Sequence, residues 1–193
     1  MHHLEIFRFL DHLHPLTVEA RSDLETLLQS QETDKNDYLL REGDRAHYIY
    51  WLQEGVVRVF YSQDGNEYNK TFFVPGMFPT PITALLSDSP SQLSFQALTP
   101  AQLVRFSYRK FRSMFDKHRC LESLMLRIME IQWIKKERHD IRMVMNDATT
   151  NYLTFREEYP DLEHLIPQYH IASYLGITPI QLSRIRAKLA QGV

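Results

Sequence analysis

Apolar residues change their spacing several times along this chain of 193 residues, and each change predicts a different element. Between Thr17 and Gln31 a capping threonine followed by Leu24, Leu27 and Leu28 predicts a helix. From Tyr38 to Ser107 the apolar positions come instead in short β-branched and aromatic runs: Tyr48-Ile49-Tyr50-Trp51-Leu52, Val56-Val57-Arg58-Val59-Phe60-Tyr61 and Leu103-Val104-Arg105-Phe106. Turn residues separate them at Glu42-Gly43-Asp44, Gln53-Glu54-Gly55, Asp64-Gly65-Asn66 and Pro75-Gly76. That pattern predicts a compact all-β domain of short strands.

A long helical stretch is predicted from about Tyr108 to Met145. Leu121, Leu124, Ile128, Ile131, Ile134, Ile141 and Met145 recur at intervals of three, four or seven, the spacing of a helix-pairing seam, with Arg138 interrupting it. A helix from Arg119 to Met145 would extend roughly 40 Å at 1.5 Å per residue, longer than a small domain needs for one face, so a partner helix is expected. Asn146-Asp147 reads as a hinge and cap before a further helix, Ala148 to Glu158, which stops at Tyr159-Pro160.

The stretch from Gln168 to Arg186 carries the most chemistry. Ile171, Ala172 and Leu175 give a first helix an apolar face, and Gly176 can take the left-handed conformation that ends it. Thr178 then caps a second helix with Pro179 at its first position, where a missing N–H costs nothing. Leu182, Ile185 and Leu189 face the core, so Gln181, Arg184 and Lys188 lie toward the other side. This is the grammar of a helix-turn-helix, whose amide and guanidinium groups can read base edges or hold phosphates. An ordinary helical hairpin with a solvated polar face would share the pattern. Charge argues against it: from His164 to Val193 there is no Asp or Glu while Arg184, Arg186 and Lys188 give +3, leaving −5 on the remainder of a chain whose formal charge is −2. Nucleic-acid affinity is then concentrated at the basic end.

Composition narrows the remaining classes. At 44% hydrophobic and 24% charged residues the chain is ordinary globular protein. Its longest apolar runs, such as Phe72-Phe73-Val74, are too short to span a membrane, and Met1-His2-His3-Leu4-Glu5 lacks the basic-then-apolar form of a signal peptide, so a cytoplasmic location and no membrane partner are expected. The single Cys120 supplies neither a disulfide nor the thiolates of an iron–sulfur or structural zinc site. Nine histidines form no ligand-like cluster beyond His2-His3 and the His12/His14 pair, so no metal and no cofactor are expected. No G-x-S-x-G elbow, phosphate-loop glycine-lysine motif or H-E-x-x-H pair is present, and an enzyme is not expected.

Leu40-Arg41-Glu42-Gly43-Asp44, the aromatic Tyr48 to Trp51 leading to Gly55-Val56-Val57, Asp64-Gly65, Phe73-Val74-Pro75-Gly76-Met77-Phe78, Ala97 to Phe106 and Tyr169 to Arg186 follow one another in the order found in the Crp–Fnr family of bacterial transcription regulators, which the chain closely resembles. The resemblance implies an α+β chain: a cyclic-nucleotide-binding-type β-roll with flanking helices (1–118), a dimerisation helix and hinge (119–146), and a helix-turn-helix DNA-binding domain (147–193), where the chain departs from the family in having no evident wing after Leu189. It implies a homodimer through Leu121, Leu124, Ile128, Ile131, Ile134 and Ile141, acting on an inverted-repeat site in double-stranded DNA, with RNA polymerase a further candidate partner. The DNA-facing candidates are Arg184 for guanine, Gln181 for adenine or phosphate, Ile180 for a thymine methyl, and Thr178, Lys188, Gln168, Tyr169 and Arg186 for the backbone.

A further departure from the family concerns the effector. Cyclic-nucleotide-binding members resemble one another in a glycine and glutamate soon after the Phe78 position and an arginine paired with Ser or Thr before the next strand. Thr80, Pro81, Ser91 and Gln92 stand there, and no basic residue lies between Lys70 and Arg105. A cyclic phosphate taken from water needs a charge-assisted partner, so cyclic AMP is not expected to bind in the usual way. Hydroxyls such as Thr80 and Thr83 leave room for an unidentified small polar effector. The alternative is a small-molecule sensor or protein-interaction module without specific DNA binding.

Overall fold

The structure, a computed structural model, describes residues 4–191, so His2 and His3 lie outside the described residues. Two helices, α1 (Leu4–Leu13) and α2 (Val18–Glu25), lead into β1 (Gln29–Thr33), β2 (Tyr38–Leu40), β3 (Tyr48–Glu54), β4 (Val57–Gln63) and β5 (Asn66–Phe73). After α3 (Ile82–Ser87) come β6 (Ser94–Ala97) and β7 (Ala101–Ser107). The remainder is helical: α4 (Tyr108–Ser113), α5 (Arg119–Met145), α6 (Ala148–Glu158), α7 (Leu162–Leu165), α8 (Gln168–Tyr174) and α9 (Pro179–Ala190).

The strands form two antiparallel sheets, ordered β1-β7-β3 and β2-β6-β4-β5, with Leu39, Tyr50, Leu52, Val57, Val59, Phe95 and Leu103 packed between them. Strand β3 reads as an unbroken apolar run because both its faces are covered. Tyr50 and Leu52 point into the roll, while Ile49 and Trp51 point out into a second core with α1, α2, Phe111 and the start of α5. The β4–β5 hairpin closes at Asp64 and Gly65, both with positive φ, the backbone of a type I′ turn. Gly55 has φ +92°, and a Cβ there would meet the Pro100 carbonyl oxygen at 2.4 Å, so the turn leaving β3 and the turn entering β7 approach each other at a point only glycine permits.

Three expectations are corrected. The helix predicted to Gln31 ends at Glu25, because the backbone from Gln29 onward pairs with β7, Gln29 opposite Arg105 and Gln31 opposite Leu103. The stretch read as all-β contains α3, which buries Ala84 and Leu85. The helix predicted from Tyr108 is broken after α4: Phe111 stacks edge-on against Phe106 and Phe115, and the chain must turn at Met114 to His118 to bring Leu121 and Leu124 back to the same core. Asp23 holds that turn, its Oδ2 lying 2.5 Å from Lys117 Nζ and 2.7 Å from His118 Nε2.

From Arg119 onward the sequence boundaries hold. α5 runs Arg119–Met145, and α6 begins after Asp147, whose carboxylate accepts the Thr150 N–H at 2.8 Å. The third core joins what the sequence reading divided. Val56, Phe72 and Leu98 of the roll pack with Tyr152, Phe155, Tyr159, Leu162, Ile171, Tyr174 and Leu182, so the terminal helices share an interior with the sheet.

No helix among the described residues is long and apolar enough to cross a membrane.

Candidate nucleic-acid interface

Helix α8 is followed by Gly176 at φ +67°, and α9 starts at a full capping box: Thr178 Oγ1 accepts the Gln181 N–H at 3.2 Å while Gln181 Oε1 accepts the Thr178 N–H at 2.9 Å. Leu182 is fully buried and Ile185 and Leu189 are packed beside it, which turns Ile180, Gln181, Arg184 and Lys188 outward, all exposed. Gln168, Tyr169 and Thr178 are exposed as well, and Tyr169 lies over the His170 ring at 4.1 Å between centroids. Gln168, Tyr169, Thr178, Ile180 and Gln181 are exposed at the N-terminal ends of α8 and α9, with Arg184 and Lys188 exposed farther along α9.

Two members of the predicted set change. Arg186 is half-buried on the opposite side of α9, its Nε 3.9 Å from Glu163, since a step of two residues turns a helix most of the way round. Gln181 is bound into the cap, so its oxygen is already engaged by Thr178. No strand follows α9 among the described residues.

The apolar stripe on α5 also divides. Leu121 and Leu124, 0% and 1% exposed, belong to the chain's own core and are unavailable to a second chain, and Ile128 packs beside them. Farther along, Ile134 and Ile141 are about half exposed and Met145 more so, with Ile131 half-buried. Trp133, at 68% exposure, is a large apolar residue on this helix that the predicted stripe omitted.

The cassette residues differ in burial and in partners. Thr80 Oγ1 accepts the Tyr50 N–H and donates to the Tyr50 carbonyl, which stitches the loop to β3. Buried Ser91 donates to the Leu93 carbonyl at 2.7 Å. Pro81 is buried, whereas Thr83 and Gln92 face solvent. Tyr50 itself fills the roll interior, its hydroxyl donating to the Leu39 carbonyl.

What the sequence reading missed is the joint between roll and helices. Arg58 on β4 is 4% exposed and points outward beneath α8; its Nη1 lies 2.6 Å from Glu67 Oε2 and 3.3 Å from His170 Nδ1. Asn69 donates from Nδ2 to the His170 carbonyl at 3.1 Å and lies 3.2 Å from His170 Nδ1; its backbone N–H donates to Ser173 Oγ, which in turn donates to the Glu67 carbonyl. The only local signal was an arginine inside an otherwise apolar strand.

Two donors face His170 Nδ1, so that nitrogen accepts and the ring is neutral. Burial, reinforced by the Arg58 guanidinium and opposed in part by Glu67, pushes its pKa from 6.5 down to about 4. The folded state then binds fewer protons than the unfolded state between these values. Its contribution is complete above about pH 6.5 and is lost as pH falls toward 4, by about 3 kcal/mol in total. Urea unfolding at pH 7.5, 5.5 and 4.5 checks this against His170→Asn, which keeps an acceptor near the Nδ1 position but does not titrate. The variant should show the smaller loss on acidification; equal losses would refute the assignment.

Among the described residues no three His, Cys, Asp or Glu side chains gather as a metal site would require.

Residues 30–118 match the cyclic nucleotide-binding domain family. No curated protein matches the chain. Among solved structures, FixK2 from Bradyrhizobium japonicum is 19% identical with a TM-score of 0.72, over 86% of this chain and 87% of that one. CLP from Xanthomonas campestris, described as a c-di-GMP responsive global regulator, is 18% identical with a TM-score of 0.67, over 91% of this chain and 93% of that one. The Thermus thermophilus catabolite activator protein is 18% identical with a TM-score of 0.57, over 96% and 88%. The chain therefore carries a cyclic-nucleotide-binding-type domain at residues 30–118, within a fold shared with regulators of the Crp–Fnr type.

Proposed function

We propose that the protein is a homodimeric, sequence-specific DNA-binding transcription regulator whose roll does not bind cyclic AMP in the usual way. The observation that carries this reading is α9: one side is locked into the core by Leu182, and the other offers Ile180, Arg184 and Lys188 to solvent on a segment free of carboxylates. A guanidinium in that position matches the bidentate pattern of guanine, and an ammonium in the last turn suits a phosphate. The shared fold supports the same reading, since the solved relatives include a global regulator and a catabolite activator. Thr80 and Ser91 already bonded to backbone, and no basic side chain between Lys70 and Arg105, support the second half of it.

Selection from a random DNA pool should return an inverted repeat with half-sites about one helical turn apart. Arg184→Ala should relax base preference within each half-site at about 1–3 kcal/mol per contact. Lys188→Ala should weaken all sequences alike and flatten the salt dependence, because a phosphate carries no direct base information. Calorimetry with cyclic AMP should show no submicromolar binding. A pool that yields no preferred sequence would defeat the DNA reading and favour a protein-contacting module.

A further inference from the structure

The Arg58 guanidinium links its own strand, β4, to two neighbouring strands and to α8. Its Nε and Nη2 donate to Gln96 Oε1 on β6 at 2.8 and 2.6 Å, and its Nη1 reaches Glu67 and Asn69 on β5 and His170 on α8. Gln96 continues the chain of contacts, donating from Nε2 to the Asn36 carbonyl beside β2. The guanidinium plane is backed by the Phe60 ring, 3.8 Å from its centroid. A buried charge held by so many partners is not required for packing alone, since an apolar side chain of similar volume could fill the same space.

We propose that Arg58 is a positioning residue, which clasps α8 to the β4–β5 hairpin so that α9 is presented to DNA in one fixed orientation and follows any shift of β6. The clasp grips α8 on the side of His170 and Ser173, and leaves Ile180, Arg184 and Lys188 of α9 exposed. It thus holds the reading surface without covering it. Two recognition helices in a dimer must meet successive grooves together, so fixing each one in advance lowers the ordering cost of binding. The direction follows: loosening the clasp weakens DNA binding. This inference rests on the DNA-binding reading for its consequence and on the buried network for its existence.

The test separates the two. Arg58→Lys keeps the charge but loses the planar fork, and Asn69→Ala removes the second link to α8 should the first variant fold poorly. Leu24→Ala, in the core beneath α2 and away from α8, serves as a destabilised control. Hydrogen exchange should accelerate about tenfold or more across α8 in both clasp variants while the β1–β7 ladder keeps its protection. Affinity for the selected DNA site should fall about tenfold in both, but not in the control at a temperature where all remain folded. If α8 exchanges as in wild type, or if DNA binding is unchanged or tighter, the proposal is overturned. If the wild type binds no DNA, the functional reading fails, and exchange at α8 still decides whether the clasp exists.

Discussion

Glutamate at both Ile134 and Ile141 is expected to leave the protein monomeric at micromolar concentrations, where the proposed function requires the wild type to be a dimer. These residues are seven apart, so they lie on one line of α5, with half-buried Ile131 and exposed Met145 extending it. Their own chain leaves them largely uncovered, at 48% and 56% exposure, so the substitutions should cost the monomer little. Across a two-fold axis each glutamate would meet its own copy, and like charges drawn out of water against each other cost several kcal/mol. Arg138, on the same line, should sit at the edge of the contact, where its head can stay in water. Light scattering with and without the double substitution is the measurement. A wild type that is already monomeric would end the dimer proposal, and a variant that stays dimeric would move the interface elsewhere, with Trp133 the next residue to test.

Phe72→Ala should lower stability by about 3–5 kcal/mol, the cost of removing a buried aromatic ring. Phe72 is 1% exposed and stands edge-on to Phe155 and Tyr159, each at 6.1 Å between centroids, with Tyr174 at 5.6 Å. The same ring therefore joins β5, α6 and α8. Beyond its area it gains the edge-to-face preference of each pair. Thermal unfolding should show a fall in Tm on the order of 10 °C, taking 2–4 °C per kcal/mol for a chain of this size. The loss should be larger than for Phe73→Ala, the next residue, which packs only partly against the roll interior. Similar losses for the two would mean that the shared core is not where the stability lies.

The last two helices and the glycine turn between them were legible because their determinants are local. Gly176, Thr178, Pro179 and Gln181 act within a few residues of one another, and the cap at Asp147 is equally near its partner Thr150. The C-terminal end of α5, marked by Asn146-Asp147, was legible for the same reason, whereas the break that precedes Arg119 was not. The face of α5 that each leucine takes was not, because a spacing of three and four is the same whether the cover comes from α1 of the same chain or from another chain. Leu121 and Leu124 took the first and Ile134 the exposed side. Arg58 and His170 are 112 residues apart, and nothing near either one points to the other. An arginine on a strand ordinarily faces solvent; here α8, packed against β5, and the side chains of Gln96, Glu67, Asn69 and Phe60 enclose this one.

The core shared by Val56, Phe72 and Leu98 with the last three long helices has a consequence for modularity. A roll cut free after Asn146 would bare those three side chains to water and leave the Arg58 guanidinium without His170. The detached helices would lose the floor on which Tyr159 and Tyr174 rest. Neither fragment should be interchangeable with its counterpart from another protein of this fold unless the contact surface travels with it. Inheritance in this chain then acts on the pair: the residues under α8 on β4 and β5 and those on α8 itself have to change together.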